Sequence, residues 1–141
     1  MTMHFDYKVE GGDFTKAGYA SSQVKRSLKQ LNVDPKVIKR VVVALYEGEV
    51  NIVAHAYNGN IQVDIDTEKI RLTITDQGPG IQNIDQAMQI GYSTASPEVR
   101  EMGFGAGMGL PNIKNNSDEF HLESEVGVGT KLEIVVYINQ K

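Results

Sequence analysis

The sequence contains no cysteine, which excludes a disulfide framework and a zinc site built on thiolates. It also lacks any apolar run close to the roughly 20 residues that a membrane-spanning helix needs. The N-terminal segment has acidic side chains and no apolar stretch, so it is unlike a secretory signal. Excess basic charge is missing too: the net charge is −4 and the pI is about 5.3, which argues against direct binding of nucleic acid. We therefore expect a cytoplasmic protein with neither a membrane nor nucleic acid among its partners.

The 141 residues fit one ordinary domain, and the hydrophobic fraction of 40% is enough for a core, so we expect a single domain over residues 1–141. Apolar residues at helical spacing predict helices, and alternation with period two predicts strands. The predicted element order is an α+β fold, a two-layer sandwich in which helices cover one face of a mostly antiparallel sheet. The predicted elements are a strand at 5–9, a helix from 13 or 15 to about 31, a helix at 35–57, a turn at 58–60, strands at 61–65 and 70–74, a long loop with a helical turn near 85–89, a helix at 110–116, and strands at 120–125 and 131–138.

Glu47 and Asn51 lie four residues apart in the second predicted helix and therefore share one of its faces. One interpretation is the solvated polar side of an amphipathic helix. Two features favour a site instead: Asn is a poor residue for a helix interior, and Gly48 costs on the order of 1 kcal/mol relative to Ala. An Asn amide oxygen suits Mg²⁺, and a carboxylate one turn away can orient a hydroxyl or accept its proton.

A second motif, DQGPGI at residues 76–81, follows a predicted strand. Alone it is also explained by an ordinary turn at the end of the strand. In a functional site, Asp76 would accept a hydrogen bond from an exocyclic amine such as that of adenine. Gly78 and Gly80 would then let the backbone approach a flat ring closely.

The third motif is a run of alternating glycines at 103–109, directly before a predicted helix. Successive free N–H groups and a helix N-terminus form a cradle for phosphate, whereas a flexible tether, the alternative, does not explain the regular spacing. No Gly-Lys-Ser/Thr follows, so the segment is not a Walker A loop, and its late position excludes a Rossmann fingerprint. Thr130, in a predicted hairpin turn, is a candidate hydroxyl near the base or the phosphates.

Together these motifs resemble those of the ATPase superfamily of gyrase, Hsp90, histidine kinases and MutL, over roughly residues 35–135. The resemblance implies the Bergerat α/β sandwich, with ATP and Mg²⁺ as ligands. It implies that Asn51 binds Mg²⁺, that Glu47 is the catalytic base, and that residues 82–102 form a lid. The other nucleotide-binding residues that it implies are Asp76, which would read adenine, and Gly78, Gly80, Ile81, Gly103, Gly105, Gly107, Met108, Gly109, Leu110 and Thr130.

Within this superfamily the chain is especially similar to the stand-alone anti-sigma-factor and stressosome-switch serine/threonine kinases of bacteria. The similarity is carried by DQGPGI at 76–81, GYST at 91–94 and GAGMGLP at 105–111. It implies transfer of the ATP γ-phosphate to a regulatory partner protein, with a sigma factor as a second partner and a homodimer as the assembly. A non-catalytic, ATP-dependent binding switch and an ATP hydrolase are the alternatives.

Two features depart from the pattern of these kinases. Glu49 adds a second carboxylate where they more often have a small or apolar residue, and on a helix it points about 200° away from Glu47. We therefore expect that Glu49 does not replace Glu47. The predicted lid contains only one Arg or Lys, Arg100, which is the candidate cation for the transition state.

Overall fold

The computed structural model describes residues 2–89 and 109–138. Its centre is one sheet in the order β1-β2-β3-β5-β4, and every neighbouring pair in it is antiparallel. This arrangement matches the predicted α+β architecture. The strands are β1 Met3–Glu10, β2 Asn58–Ile65, β3 Lys69–Gln77, β4 Glu119–Glu125 and β5 Gly129–Tyr137.

The long helix of the fold, α2, begins where the sequence predicts. The Asp34 carboxylate accepts a hydrogen bond from the Lys36 N–H, and Pro35 occupies the first turn, where its missing N–H is no loss. The helices are α1 Tyr19–Gln30, α2 Pro35–His55, α3 Ile84–Ala87 and α4 Gly109–Asn115, with a 3₁₀ turn at Phe14–Lys16. Within the described ranges, no helix combines the length and apolar character that crossing a membrane requires.

The core lies between the sheet and the helices. Alternate side chains of the central strands point toward α2, which packs on β1, β2, β3 and β5 and is flanked by α1 and α4. The opposite side chains of these strands are mostly polar and at least partly exposed, as period-two alternation predicts, but Val135 of β5 is apolar and buried. The fully buried side chains include Val24, Leu28, Val41, Leu45, Ile52, Ile61, Val63, Ile70, Leu72, Ile113 and Ile134.

The predicted turn at 58–60 is wrong, because these residues open β2. Asn58 pairs with Gln77 and Gly59 pairs with Asp76 in the ladder to β3. A methyl group at Gly59 would lie 2.7 Å from the Ile52 Cδ1 atom, so the glycine is needed where the strand passes under α2. The chain passes from α2 to β2 at Ala56 and Tyr57 instead. A separate turn joins β2 to β3, where the Asp66 carboxylate accepts hydrogen bonds from the Glu68 and Lys69 N–H groups.

The first helix also begins later than predicted. Residues 14–16 form the 3₁₀ turn, residues 17 and 18 form a further turn, and Gly18 adopts a left-handed conformation with φ of 95° before α1 begins at Tyr19. No local side chain caps α1 at this end. The N–H groups of its first turn are satisfied from α2, as described below.

Candidate functional site

The paired polar residues of α2, Glu47 and Asn51, lie against the first residue of α4. A methyl group at Gly109 would be 3.1 Å from Asn51 Oδ1 and 3.5 Å from Glu47 Oε2. Both side chains therefore face the last glycine of the predicted phosphate cradle. Of the two interpretations of this pair, a freely solvated helix side is excluded, because Glu47 and Asn51 are both only partly exposed.

Glu47 is held in a partly desolvated position. Burial raises the pKa of its carboxyl group above the ordinary value, and a hydrogen bond with the Asn112 side chain acts in the opposite direction. A carboxylate with a raised pKa that remains within reach of a site is suited to accept a proton from a hydroxyl. Asn112 was not predicted from the sequence. Its position about one helical turn after Gly109, on the face of α4 that meets α2, is the sequence feature that could have indicated it.

The C-terminal half of α2 lies directly over the end of β3. Gly48 has no room for a Cβ because the Ile74 side chain occupies that space. A methyl group at Gly78 would come within 3.0 Å of the Ala56 Cα. Gly48 is thus explained by close packing of helix on sheet, and this packing brings the α2 residues to the strand end that carries Asp76.

Asp76 lies one residue before the end of β3 and is partly buried. The Thr130 N–H of the adjacent strand donates to Asp76 Oδ1 at 3.1 Å. Burial raises the pKa of Asp76, and the hydrogen bond from Thr130 partly offsets it. A carboxylate fixed by one backbone donor keeps lone pairs for a further donor, such as the exocyclic amine of a base.

The loop after Asp76 is fastened to the β4–β5 hairpin. Gly80 has a φ of 75° and packs on the Glu125 carbonyl, so that only glycine fits there without strain. The Ile81 N–H donates to Ser124 Oγ at 2.8 Å, and that hydroxyl lies 2.9 Å from Thr130 Oγ1. Ser124 is a second residue that the sequence analysis missed, and it links Ile81 to Thr130.

The second carboxylate of the helix, Glu49, is 2% exposed and faces α1. Its Oε2 accepts the Ala20 N–H at 3.1 Å, and its Oε1 accepts the Ser21 N–H at 3.2 Å. A carboxylate at a helix N-terminus satisfies free N–H groups and complements the helix dipole. Glu49 therefore caps α1 and, as its helical position predicts, is directed away from Glu47.

Some predicted positions lie outside the described residues: Gly103, Gly105, Gly107, Met108, Arg100 and most of the predicted lid. The structure brings together two groups of predicted residues. Glu47, Asn51 and Gly109 meet at the α2–α4 contact. Leu110, next to Gly109, packs its side chain against the core. The second group, at the end of β3, consists of Asp76, Gly78, Gly80, Ile81 and Thr130.

The family follows from a comparison of the chain with protein-family models. Residues 15–136 match the model of the histidine kinase-like ATPase domain. The chain belongs to this family. The match spans both groups of site residues, and it confirms the superfamily that the three motifs predict.

Curated relatives in this family place the chain in the branch that its motifs resemble. It is 31% identical over 124 residues to the serine/threonine-protein kinase RsbT of Bacillus subtilis, covering 84% of this chain and 87% of the relative. It is 29% identical over 144 residues to an anti-sigma F factor of Geobacillus thermodenitrificans, covering 98% and 92% of the two chains. The predicted likeness to anti-sigma-factor and switch kinases is confirmed.

A solved structure of the RsbU and RsbW domains of a Mycobacterium tuberculosis protein has a similar fold. Its TM-score with this chain is 0.60 at 16% identity, and the alignment covers all of this chain and 33% of the longer one. At this identity the likeness concerns the fold alone. It confirms the predicted Bergerat-type sandwich.

Proposed function

We propose that this protein is an ATP-binding regulator of the anti-sigma type with serine/threonine protein kinase activity. It transfers the ATP γ-phosphate to a hydroxyl of a regulatory partner protein. The observation that carries the proposal is the contact of Glu47 and Asn51 with Gly109, because it sets a carboxylate and an amide beside the last glycine of the segment predicted to hold phosphate. The names of the relatives, a serine/threonine-protein kinase and anti-sigma F factors, support the same activity.

The residues at the end of β3 would hold the adenine. Asp76 would accept the exocyclic amine, while Gly78 and Gly80 would let the loop backbone approach the ring closely. Thr130 and Ile81 are positioned around Asp76 by the hydrogen bonds through Ser124. At the other end, the phosphates would lie along the glycines from Gly103 to Gly109, ahead of Leu110.

Asn51 would supply the one protein ligand of Mg²⁺. In the ranges that the structure describes, no cluster of three or more His, Asp and Glu residues could hold a metal ion by itself. Mg²⁺ in proteins usually retains several water ligands and is also coordinated by phosphate oxygens of the substrate. A site of one amide oxygen, phosphate oxygens and water fits this preference.

Glu47 would orient the serine or threonine hydroxyl of the partner and accept its proton. The hydroxyl oxygen forms the new bond to the γ-phosphorus, the bond from that phosphorus to the bridging oxygen breaks, and ADP leaves. Phosphoryl transfer depends mainly on positioning and on stabilising charge, so a raised-pKa carboxylate at the right place is what the protein must contribute. Arg100 would be the candidate cation at the γ-phosphate.

The partner would be a small regulatory protein with an antagonist-type domain, and a sigma factor and a second copy of the chain are further proposed partners. A single domain over residues 1–141 and a place in the cytoplasm belong to the same proposal. Glu49, which departs from the pattern of these kinases, would take no part in the transfer, since its side chain caps α1.

The test is incubation with γ-labelled ATP, Mg²⁺ and candidate antagonist proteins, followed by phosphoamino-acid analysis. We expect label on serine or threonine of one candidate. Release of free phosphate without any acceptor would instead indicate an ATP hydrolase. ATP-dependent binding of the partner with no transfer would indicate a non-catalytic switch.

A further inference from the structure

A groove separate from the site described above runs between the end of α1 and the start of α2. Its volume is about 520 Å³. We call it the α1–α2 groove. Ile38 on its floor and Asn51 in the site are separated by roughly 20 Å along α2, at about 1.5 Å per residue. The α1–α2 groove is lined by Lys25, Lys29, Asn32, Val33, Pro35, Ile38, Lys39, Val42 and Val43.

The groove lies in the most basic segment of an acidic chain, and three of the lysines of that segment line it. Residues 25–40 contain six of the 14 Lys and Arg residues but only one of the 18 Asp and Glu residues, whereas the whole chain has a net charge of −4. This concentration of positive charge creates a local potential opposite to that of the rest of the molecule, and it attracts acidic groups.

The rim lysines have no ion-pair partner among the described residues. The side chains of Lys25, Lys29 and Lys39 are exposed, and no carboxylate of residues 2–89 or 109–138 lies within 4 Å of them. Arg40, in contrast, is bound by Asp118 through two hydrogen bonds of 3.2 and 3.0 Å. The three lysines are therefore available to a carboxylate from another molecule.

The floor of the groove is apolar. Ile38 is buried, and the side chains of Val33, Val42 and Val43 are partly exposed beside Pro35. A nucleic acid would place phosphates and hydroxyls on such a floor, where they find no hydrogen-bond donors. A peptide, in contrast, can insert an aliphatic or aromatic side chain there and direct flanking carboxylates at the lysines.

We propose that the α1–α2 groove binds an acidic, amphipathic segment of a partner protein. One or two large apolar side chains of the segment fill the groove, and Asp or Glu residues beside them pair with Lys25, Lys29 and Lys39. The surface lies away from Glu47, Asn51 and Asp76, so it lets the protein hold a partner without covering the nucleotide site. This inference does not depend on kinase activity.

Selection from a random peptide library displayed on phage, against the immobilised full chain, tests the proposal. We expect the enriched peptides to contain Leu, Ile or Phe flanked by Asp or Glu. A synthetic peptide of the consensus sequence is then titrated into ¹⁵N-labelled protein, where the largest shift changes should fall on residues 25–43. Replacing its acidic residues by Asn and Gln should weaken binding at least tenfold at low salt.

The decisive variant is Lys25→Glu/Lys29→Glu/Lys39→Glu. Lys29→Glu alone is compared with Lys8→Glu on the exposed edge strand, which changes the net charge by the same amount outside the groove. The triple variant should lose at least tenfold in peptide affinity, and the control should bind as the wild type does. Val42→Ala, on the floor, should weaken binding by removing apolar contact while every charge on the rim stays in place. Equal thermal unfolding midpoints show that the charge variants remain folded.

Three results would overturn the proposal. The first is a selection that enriches no acidic, apolar sequence. The second is a peptide whose shift changes lie outside residues 25–43 or whose affinity the triple variant leaves unchanged. The third is binding of a short DNA duplex to the same lysines with higher affinity than any selected peptide, which would make the groove a nucleic-acid surface.

Discussion

Glu47 and Glu49 lie two residues apart on the same helix, but they meet different surroundings. Glu47 faces α4, where Asn112 is its hydrogen-bond partner and burial raises the pKa of the carboxyl group. Glu49 faces α1 and is 2% exposed, with two backbone N–H groups on its oxygens. The face of α2 on which a carboxylate lies, and not the residue type, therefore determines whether it belongs to the candidate site or stabilises the fold.

The sharpest test of this comparison is the removal of the charge on the site face. Glu47→Gln keeps the size of the side chain but removes the proton acceptor, so we expect phosphoryl transfer to fall about 10²–10⁴-fold, the usual contribution of a general base. The free energy of unfolding should change little or rise, because a partly desolvated charge disappears. The measurement is the initial rate of label transfer with the partner protein.

Glu68→Gln is the control for that variant, because Glu68 is exposed in the β2–β3 turn. Its transfer rate should equal that of the wild type. A Glu47→Gln protein that retains full activity would remove the catalytic role of this residue.

The opposite face of α2 should respond in stability. Glu49→Ala leaves the Ala20 and Ser21 N–H groups without their partner in a buried position, and we expect a loss of about 2 kcal/mol in the free energy of unfolding. Urea unfolding followed by circular dichroism measures it, with Glu68→Ala as the exposed control. Unchanged stability would show that the cap contributes nothing.

The same variant separates the two faces of α2. At a temperature where Glu49→Ala is fully folded, its nucleotide affinity should stay within a factor of a few of the wild type. If Glu49→Ala lost as much nucleotide affinity as a variant of the site itself, such as Asp76→Ala, both faces of α2 would contribute to nucleotide binding.

A third test extends the comparison to the carboxylate of β3. Asp76→Ala should weaken ATP binding about 10-fold or more, since a hydrogen bond to a charged group contributes roughly 1.5–3 kcal/mol. Titration calorimetry measures this affinity. A variant that binds ATP as tightly as the wild type would exclude Asp76 as the adenine acceptor.

Asp76 also has a pH signature. Because burial raises the pKa of its carboxyl group in the folded state, ionisation opposes folding. The stability that comes from the protonated form of Asp76 is fully present below the ordinary pKa of 3.8. It is lost as the pH rises from that value through the folded-state pKa. Asp76→Asn should remove that part of the pH dependence, which urea titrations at several pH values can detect.

The smallest effect concerns the residue beside Glu47. The Asn112 hydrogen bond lowers the pKa of Glu47, so Asn112→Ala should raise that pKa further. Activity requires the deprotonated base, and therefore the acidic limb of the pH–rate profile should move to higher pH. A limb that stays in place, or moves to lower pH, would contradict the assignment of Glu47 as the titrating group.

Local sequence signals predicted much of the fold. Asp34 and Pro35 marked the start of α2 because a cap and a proline act within one turn. Period-two alternation located β2 and β3, since one face of each is buried. The spacing of Glu47 and Asn51 predicted their shared face, because helical geometry needs no tertiary information.

The wrong predictions and the omissions concern residues whose structure is determined by contacts with distant parts of the chain. Asn58 and Gly59 favour a turn locally, but the pairing of Gly59 with Asp76 and its close contact with Ile52 make them part of a strand. The role of Glu49 depends on α1 residues 28 and 29 positions away in the chain. No periodicity in the sequence carries that information.

The central claim is that the end of β3 and the C-terminal half of α2 form one nucleotide site. Titration calorimetry with a non-hydrolysable ATP analogue, with and without Mg²⁺, tests it most directly. We expect that the wild type binds the analogue more tightly when Mg²⁺ is present, and that Mg²⁺ gives no such increase in Asn51→Ala. A folded wild-type sample without affinity for the analogue, or an Asn51→Ala variant with the full magnesium effect, would contradict it.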